Sequence, residues 1–365
     1  MWDVLHSRYQ VVGKLGNGAY STVWLCRDLV EHCHVTVKVC TQLGIPVERE
    51  LSALKHLNSL PASEHIGRTF IRTALDHFEL PADPKSSNPA PFPCFVYKPM
   101  ATSLYQFRKL FPQNRFPKQL LKSILQHVLL AIHYLHIEAK MIHADIQEGN
   151  ILLSLDDPNI LEEFEEEEWR NPSPRKIDGD RVVYLSRLMH MHMTYDKYGP
   201  PILCDFTEAR FGSATYTDLI QPDVYRAPEV ILAIPWDEKV DIWSVGVLIW
   251  DMFEGTHMFK TAGGPENKYR TVNHLAHMVS LLGPPPVDFL KRTEVDWIPW
   301  KYFDKQGEGN WIGKASVPED SLEQLEENLE GEDKAQFLAF VRKMVTWKPE
   351  DRCSIEELLK DPWLN

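Results

Sequence analysis

The stretch His143-Ala144-Asp145-Ile146-Gln147-Glu148-Gly149-Asn150, running directly into the apolar Ile151-Leu152-Leu153, decides how this chain is read. It has the form H-x-D-x-x-x-x-N. Phosphoryl transfer needs a carboxylate that orients the attacking hydroxyl and accepts its proton. It also needs a nearby amide oxygen that helps hold Mg²⁺ against the phosphates. A loop opening on Asp145 and closing on Asn150 can turn both side chains toward one cleft. Such a short match also fits a plain turn between a helix and a strand. The remaining parts of a phosphoryl-transfer site must therefore occur in order along the chain.

Upstream they do. Tyr9 to Leu15 and Thr22 to Leu25 read as strands around Gly16-Asn17-Gly18-Ala19-Tyr20-Ser21. Glycines there let backbone N–H groups approach a phosphate with no side chain in the way. His34 to Cys40 alternates as a strand, with Val35, Val37 and Val39 on one face and Lys38 on the other. Val47, Leu51, Leu54 and Leu57 mark a helical stripe; Glu50, on the opposite face from part of it, is the candidate ion-pair partner of Lys38, with Glu48 as the alternative. The proline-rich stretch from Pro81 to Pro93 reads as an extended surface loop. Cys94 to Tyr97 is then a strand entering a hinge at Lys98-Pro99-Met100, where backbone groups of Lys98 and Met100 would face an adenine ring. The apolar spacing from Leu120 to His136 is a long amphipathic helix delivering the chain to His143. His143 is read as a packed scaffold histidine, because Asp145 already fills the role of base.

Downstream, an insert of roughly fifty residues exceeds ordinary loop lengths. Its acidic run, Glu162 to Glu168, reads as a solvated face, or more sharply as a contact for an arginine-rich partner. His190 and His192 alternate with methionines, too few ligands to argue a metal site. Asp205-Phe206-Thr207 follows the apolar Ile202-Leu203 and offers a carboxylate to Mg²⁺. Ala227-Pro228-Glu229 comes next, then Asp241 to Phe253, apolar nearly all round as a buried helix should be. Near the end lies Arg352, suited to a forked pair with Glu229.

Bulk properties agree. With 365 residues the chain can build two lobes or domains, and its 44% hydrophobic and 25% charged content is that of a globular protein. A net charge of −13 argues against general nucleic-acid affinity and favours a basic partner. The six cysteines contain no C-x-x-C pair and read as reduced thiols. No apolar run reads as membrane-spanning, and the first residues lack a signal peptide's pattern.

Taken together, the motifs resemble a eukaryotic-type protein kinase over essentially the whole chain. Within that family the chain is similar to the SR-protein kinase (SRPK) group, in its fungal SRPK-like form. The residues that carry this are Leu15 to Leu25 with Ser21 at the third glycine position, the insert after Leu153, and His274 to Gly283. The resemblance implies an α+β, two-lobed protein-kinase-like fold. A small β-rich N-lobe would span 1–97 and a larger, mainly α-helical C-lobe 98–365, with the insert at about 155–200. It implies ATP and Mg²⁺ as cofactors. Asp145, Lys38 and Glu50 would be catalytic, and Asn150 and Asp205 would hold the metal. Gly16, Asn17, Gly18, Ser21, Val23, Lys38, Lys98 and Met100 would contact the nucleotide. The implied reaction is transfer of the ATP γ-phosphate to serines of Arg-Ser-rich proteins, by a monomer of cytoplasm and/or nucleus that engages neither nucleic acid nor membrane.

Three departures stand out. Gln147 replaces the catalytic-loop lysine, Thr207 replaces the glycine of D-F-G, and Ala144 replaces the arginine of H-R-D. The last predicts activity without phosphorylation of the activation loop. The first two, with Ser21, leave room for a pseudokinase acting as a binding scaffold. A small-molecule phosphotransferase shares H-x-D-x-x-x-x-N, but Ala227-Pro228-Glu229, the Asp241 helix and Arg352 weigh against it.

Overall fold

A computed structural model describes residues 3–40, 44–82, 90–179, 181–189, 197–212, 214–263, 268–305 and 308–365. The chain divides into two compact units, the first made of Met1–Ser63, Thr69–Leu104 and Ile151–Thr207.

Six strands form the first unit's main sheet: β1 (Val4–Leu5), β2 (Tyr9–Gly18), β3 (Ser21–Asp28), β4 (Cys33–Cys40), β5 (Asp76–Leu80) and β6 (Phe92–Tyr97). They pair antiparallel in the order β1-β2-β3-β4-β6-β5. Alternation sets the faces, and Val37 opposite Val96 and Cys26 opposite Val35 bury cross-strand pairs in one apolar cluster. Helix α1 (Ile45–Ser59) begins with a proline in its first turn and buries Val47, Glu50, Ala53, Leu54 and Leu57. The buried face is thus rotated from the expected stripe. Glu50 lies inside it, whereas Glu48 is exposed.

A second sheet joins β7 (Thr102–Ser103), β9 (Ile151–Leu155) and β12 (Tyr198–Leu203) in the order β12-β9-β7. This sheet is why the division differs from the expected boundary between 97 and 98. The Ala101 N–H donates to the Leu153 carbonyl at 2.9 Å, and Met100 packs with Ile202 and Cys204, which draws both segments into the first unit. The insert joins it too. Helix α4 (Asn159–Arg170) drives Phe164 into a cluster with Val12, Leu25 and Met189. Gly13 makes this possible, since a Cβ there would sit 2.9 Å from Phe164 Cε1. The acidic run is therefore one amphipathic helix and not a wholly solvated face. Glu162, Glu163 and Glu166 are exposed, but Glu168 is buried and accepts bonds from Ser173 N and Oγ at 2.7 and 2.8 Å. A hairpin of β10 (Arg175–Asp178) and β11 (Arg181–Tyr184) follows. His190 and His192 lie outside the described residues.

The second unit comprises Glu64–Arg68, Tyr105–Asn150 and Glu208–Asn365 and is mainly helical. Its elements are α2 (Leu104–Arg108, beginning one residue earlier), α3 (Lys118–Ile137), α5 (Pro228–Ile231), α6 (Lys239–Glu254), α7 (Thr271–Leu282), α8 (Val287–Leu290), α9 (Trp297–Trp300), α10 (Leu322–Leu325), α11 (Gly331–Arg342) and α12 (Ile355–Leu359). The short strands β8 (Met141–Ile142) and β13 (Arg210–Phe211) pair antiparallel. Every residue of α6 from Val240 to Glu254 is buried, as its all-round apolar pattern requires. One reading needs correction: α3, at 20 residues, is long and apolar enough by itself to cross a membrane. Here Leu121, Ile124, Leu125, Val128 and Leu129 are buried along one face, as in the core helix of a folded unit. The α+β class, β-rich first and mainly helical second, is the class observed.

Candidate active site

In the first unit, the glycine-rich turn is a tight extension of β2 and β3, with Gly16 opposite Val23, Asn17 opposite Thr22 and Gly18 opposite Ser21. A Cβ at Gly16 would meet nothing within 4 Å, so the backbone there is open to an approaching ligand. Lys38 projects from β4 and donates to both carboxylate oxygens of Glu50 at 2.8 Å. Its Nζ also lies 3.8 Å from Asp205 Oδ1. Burial alone would lower the Lys38 ammonium, but the charges of Glu50 and Asp205 outweigh it and hold it above its ordinary value. The lysine therefore stays charged.

Sequence reasoning missed the third member of this group. Tyr97, at the end of β6, donates its hydroxyl to Glu50 Oε1 at 2.8 Å from a site only 4% exposed. Burial first, and the Glu50 charge second, push the phenol well up, so it remains a donor. The only sequence signal was a polar tip on an otherwise apolar buried strand. Arg72 lies over the Tyr97 ring at 4.3 Å and donates to the Lys98 carbonyl at 3.1 Å. At the expected hinge, Lys98 is exposed, whereas Met100 is packed with Ile202 and Cys204. Asp205 adopts a left-handed backbone, φ 66°, which aspartate tolerates better than most residues. Thr207 Oγ1 donates to Asp205 Oδ1 at 2.9 Å.

In the second unit the catalytic-loop candidate is built around a buried carboxylate. Asp241, on α6, accepts from the backbone N–H of His143 at 2.9 Å and of Ala144 at 2.8 Å. His136 Nε2 lies 2.8 Å from the same side chain. Those bonds hold Ala144 in the left-handed region, φ 63°, a conformation costing roughly 1–2 kcal/mol for a residue with a Cβ. His143 is fully buried and accepts a 3.3 Å bond from the Asp145 N–H, the scaffold role expected of it. Asp145 has both carboxylate oxygens occupied. Gln147 Nε2 donates to Oδ1 at 2.8 Å and Asn150 Nδ2 to Oδ2 at 2.7 Å. Asn150 Nδ2 also reaches the Asp145 carbonyl at 2.8 Å, so the amide nitrogen is committed and Oδ1 is the atom left for a cation. Carboxylate and amide oxygens of this kind suit Mg²⁺, a hard cation. Further down, Arg352 makes the expected fork on Glu229, at 2.6 and 2.7 Å, with both side chains fully buried.

Set beside known proteins, the chain matches the protein kinase domain family over residues 9–162 and 192–364. The stretch between the two matched parts, 163–191, lies within the insert. A serine/threonine protein kinase of Aspergillus fumigatus is 44% identical over 362 residues, covering 99% of this chain and 86% of that protein. Serine/threonine-protein kinase SRPK of Physarum polycephalum is 26% identical over 382 residues, covering 99% and 87%. Dual specificity protein kinase CLK4 of Homo sapiens is 27% identical over 387 residues, covering 100% and 67%. A kinase domain solved by crystallography shares the fold, with a TM-score of 0.74 at 23% identity, covering 100% of this chain and 97% of the other.

Proposed function

The chain belongs to the protein kinase family and is a serine/threonine protein kinase; on that premise we propose that its substrates are serines of Arg-Ser-rich proteins. The observation that carries the chemistry is the doubly bonded Asp145 carboxylate, held by Gln147 and Asn150 on a loop fastened to buried Asp241. When bound, ATP with Mg²⁺ supplies the transferable phosphoryl group and the charge that screens it. Lys38, kept cationic, anchors phosphate oxygens. In the first unit Asp205, and in the second Asn150 through its Oδ1, would each offer an oxygen to a cation. Asp145 aligns the serine hydroxyl and accepts its proton. Catalysis of this kind is mostly positioning and electrostatics.

The substrate class rests on two supports: similarity to the SRPK and CLK proteins, and a net charge of −13, which draws basic segments at long range. We further propose a monomer that engages neither nucleic acid nor membrane and works in cytoplasm and/or nucleus. The relatives named above are each described as protein kinases.

The test is Mg²⁺-dependent transfer from ATP onto an Arg-Ser repeat peptide, beside a Lys-Ser control and Asp145→Ala. Removing the aligning base should cost about 10²–10⁴-fold in kcat. Equal rates on the two peptides would discard the Arg-Ser assignment and keep the kinase.

A further inference from the structure

The Lys38–Glu50 pair is the middle of a longer run of side chains lying wholly within the first unit. Tyr97 donates to Glu50 Oε1 at 2.8 Å, Glu50 receives Lys38 at 2.8 Å, Lys38 lies 3.8 Å from Asp205 Oδ1, and Thr207 Oγ1 donates to that same oxygen at 2.9 Å. A neutral hydroxyl therefore closes each end. Strand register explains the first. Thr36 pairs with Tyr97 and Lys38 with Phe95, so Lys38 and Tyr97 point from the same face of the sheet, toward buried Glu50. Glu50 is thereby tied to two neighbouring strands. At the other end a glycine would leave the Asp205 carboxylate without its hydroxyl partner, and the Thr207 side chain supplies one.

We infer that the Tyr97 and Thr207 hydroxyls are positioning residues, which hold Glu50 and Asp205, and through them Lys38, in the arrangement that receives nucleotide phosphates before any nucleotide arrives. This rests on the kinase reading above. Tyr97 acts through Glu50, the partner of its hydroxyl. Each hydroxyl bonds a carboxylate, the charge-assisted kind whose loss is felt. Because Lys38 meets phosphates in the ground state as well as the transition state, loosening it weakens nucleotide binding, and any loss in the chemical step comes on top of that.

The experiment uses the full chain with Tyr97→Phe, Thr207→Val and Thr207→Ser, the first two close in shape to what they replace. Binding is read with mant-ATP and Mg²⁺ by fluorescence titration, kinetics with a serine peptide, and folding by thermal melts. Tyr97→Phe and Thr207→Val should each weaken mant-ATP binding and raise KM for ATP about tenfold, whatever loss in kcat accompanies it. Thr207→Ser should recover the wild-type values. Unchanged mant-ATP affinity in either of the first two, a loss confined to kcat, or failure of serine to rescue overturns the inference. A wild-type chain that transfers to no peptide but whose mant-ATP binding weakens with Tyr97→Phe sinks the transfer reading and supports this one.

Discussion

Removing the Glu229 carboxylate should be among the most damaging single changes in the second unit. Arg352 and Glu229 are both fully buried, and the guanidinium also donates to the carbonyls of Lys239 at 2.9 Å and Thr346 at 3.1 Å. Those bonds keep Arg352 in place when its partner goes, so Glu229→Ala strands a positive charge away from water. Breaking a buried pair on one side costs about 3–5 kcal/mol. Against a total stability of about 5–15 kcal/mol, that is a large fraction. Glu229→Gln keeps the volume and one acceptor but loses the charge, and should cost about 1.5–3 kcal/mol. The assay is urea unfolding followed by tryptophan fluorescence, because the Arg352 guanidinium lies over the Trp243 ring at 5.1 Å. Adding Arg352→Met to Glu229→Ala removes the stranded charge. The double mutant should then be more stable than the sum of the singles by at least about 2 kcal/mol. A Glu229→Ala cost below about 1 kcal/mol, or strict additivity, would refute the reasoning.

Three further outcomes follow from named contacts. Gly13→Ala places a methyl 2.9 Å from Phe164 Cε1 and should cost about 1–3 kcal/mol by overpacking; a melt no lower than wild type would show that α4 does not clamp β2 as described. His274 is fully buried, and burial lowers it to about 3. The folded chain therefore refuses a proton that the unfolded chain accepts below about 6.5, and stability should fall by roughly 1.4 kcal/mol per pH unit below that point. His274→Phe should flatten this part of the acid limb in urea midpoints measured from pH 7 to 5. His257 is raised by its bond to Asp251, so its contribution is full below about 6.5 and lost as pH rises through its raised value. His257→Ala should accordingly lower the melting temperature at pH 5.5 far more than at pH 9, and equal losses at both would count against an ionic pair.

The limits of sequence reading show best at particular residues. Lys38 could be assigned because strand alternation has a period of two and puts it opposite the valines. Glu50 was already preferred to Glu48 in the sequence, and the rotation of α1 on the sheet bears that out, placing Glu50 among buried residues and leaving Glu48 in solvent. Arg352 and Glu229 were legible as a pair because a guanidinium and a carboxylate have few other ways to be buried. Tyr97 was not legible, since its role depends on what faces a strand end from another element. The acidic insert read as a charge run, but its helical period turns Glu168 inward onto Ser173 and Arg187. Gln147 and Thr207 looked like losses when compared letter by letter with the family pattern. In place, each donates a hydrogen bond to the aspartate two residues before it.

The chain's own letters determined the order and identity of the candidate chemistry-bearing groups, from Gly16 through Lys38, Asp145 and Asn150 to Asp205. They also determined the strand and helix periods that present those groups, because both are local properties of the backbone and its side chains. Beyond the Lys38–Glu50 and Arg352–Glu229 pairs, tertiary structure decided which groups touch. The Tyr97–Glu50–Lys38 link, the Asp241 anchor beneath His143 and Ala144, and the seat of Phe164 against Gly13 all join residues far apart in the chain. The physical reason is that hydrogen bonding and close packing depend on distance in space, and only the folded backbone sets that distance.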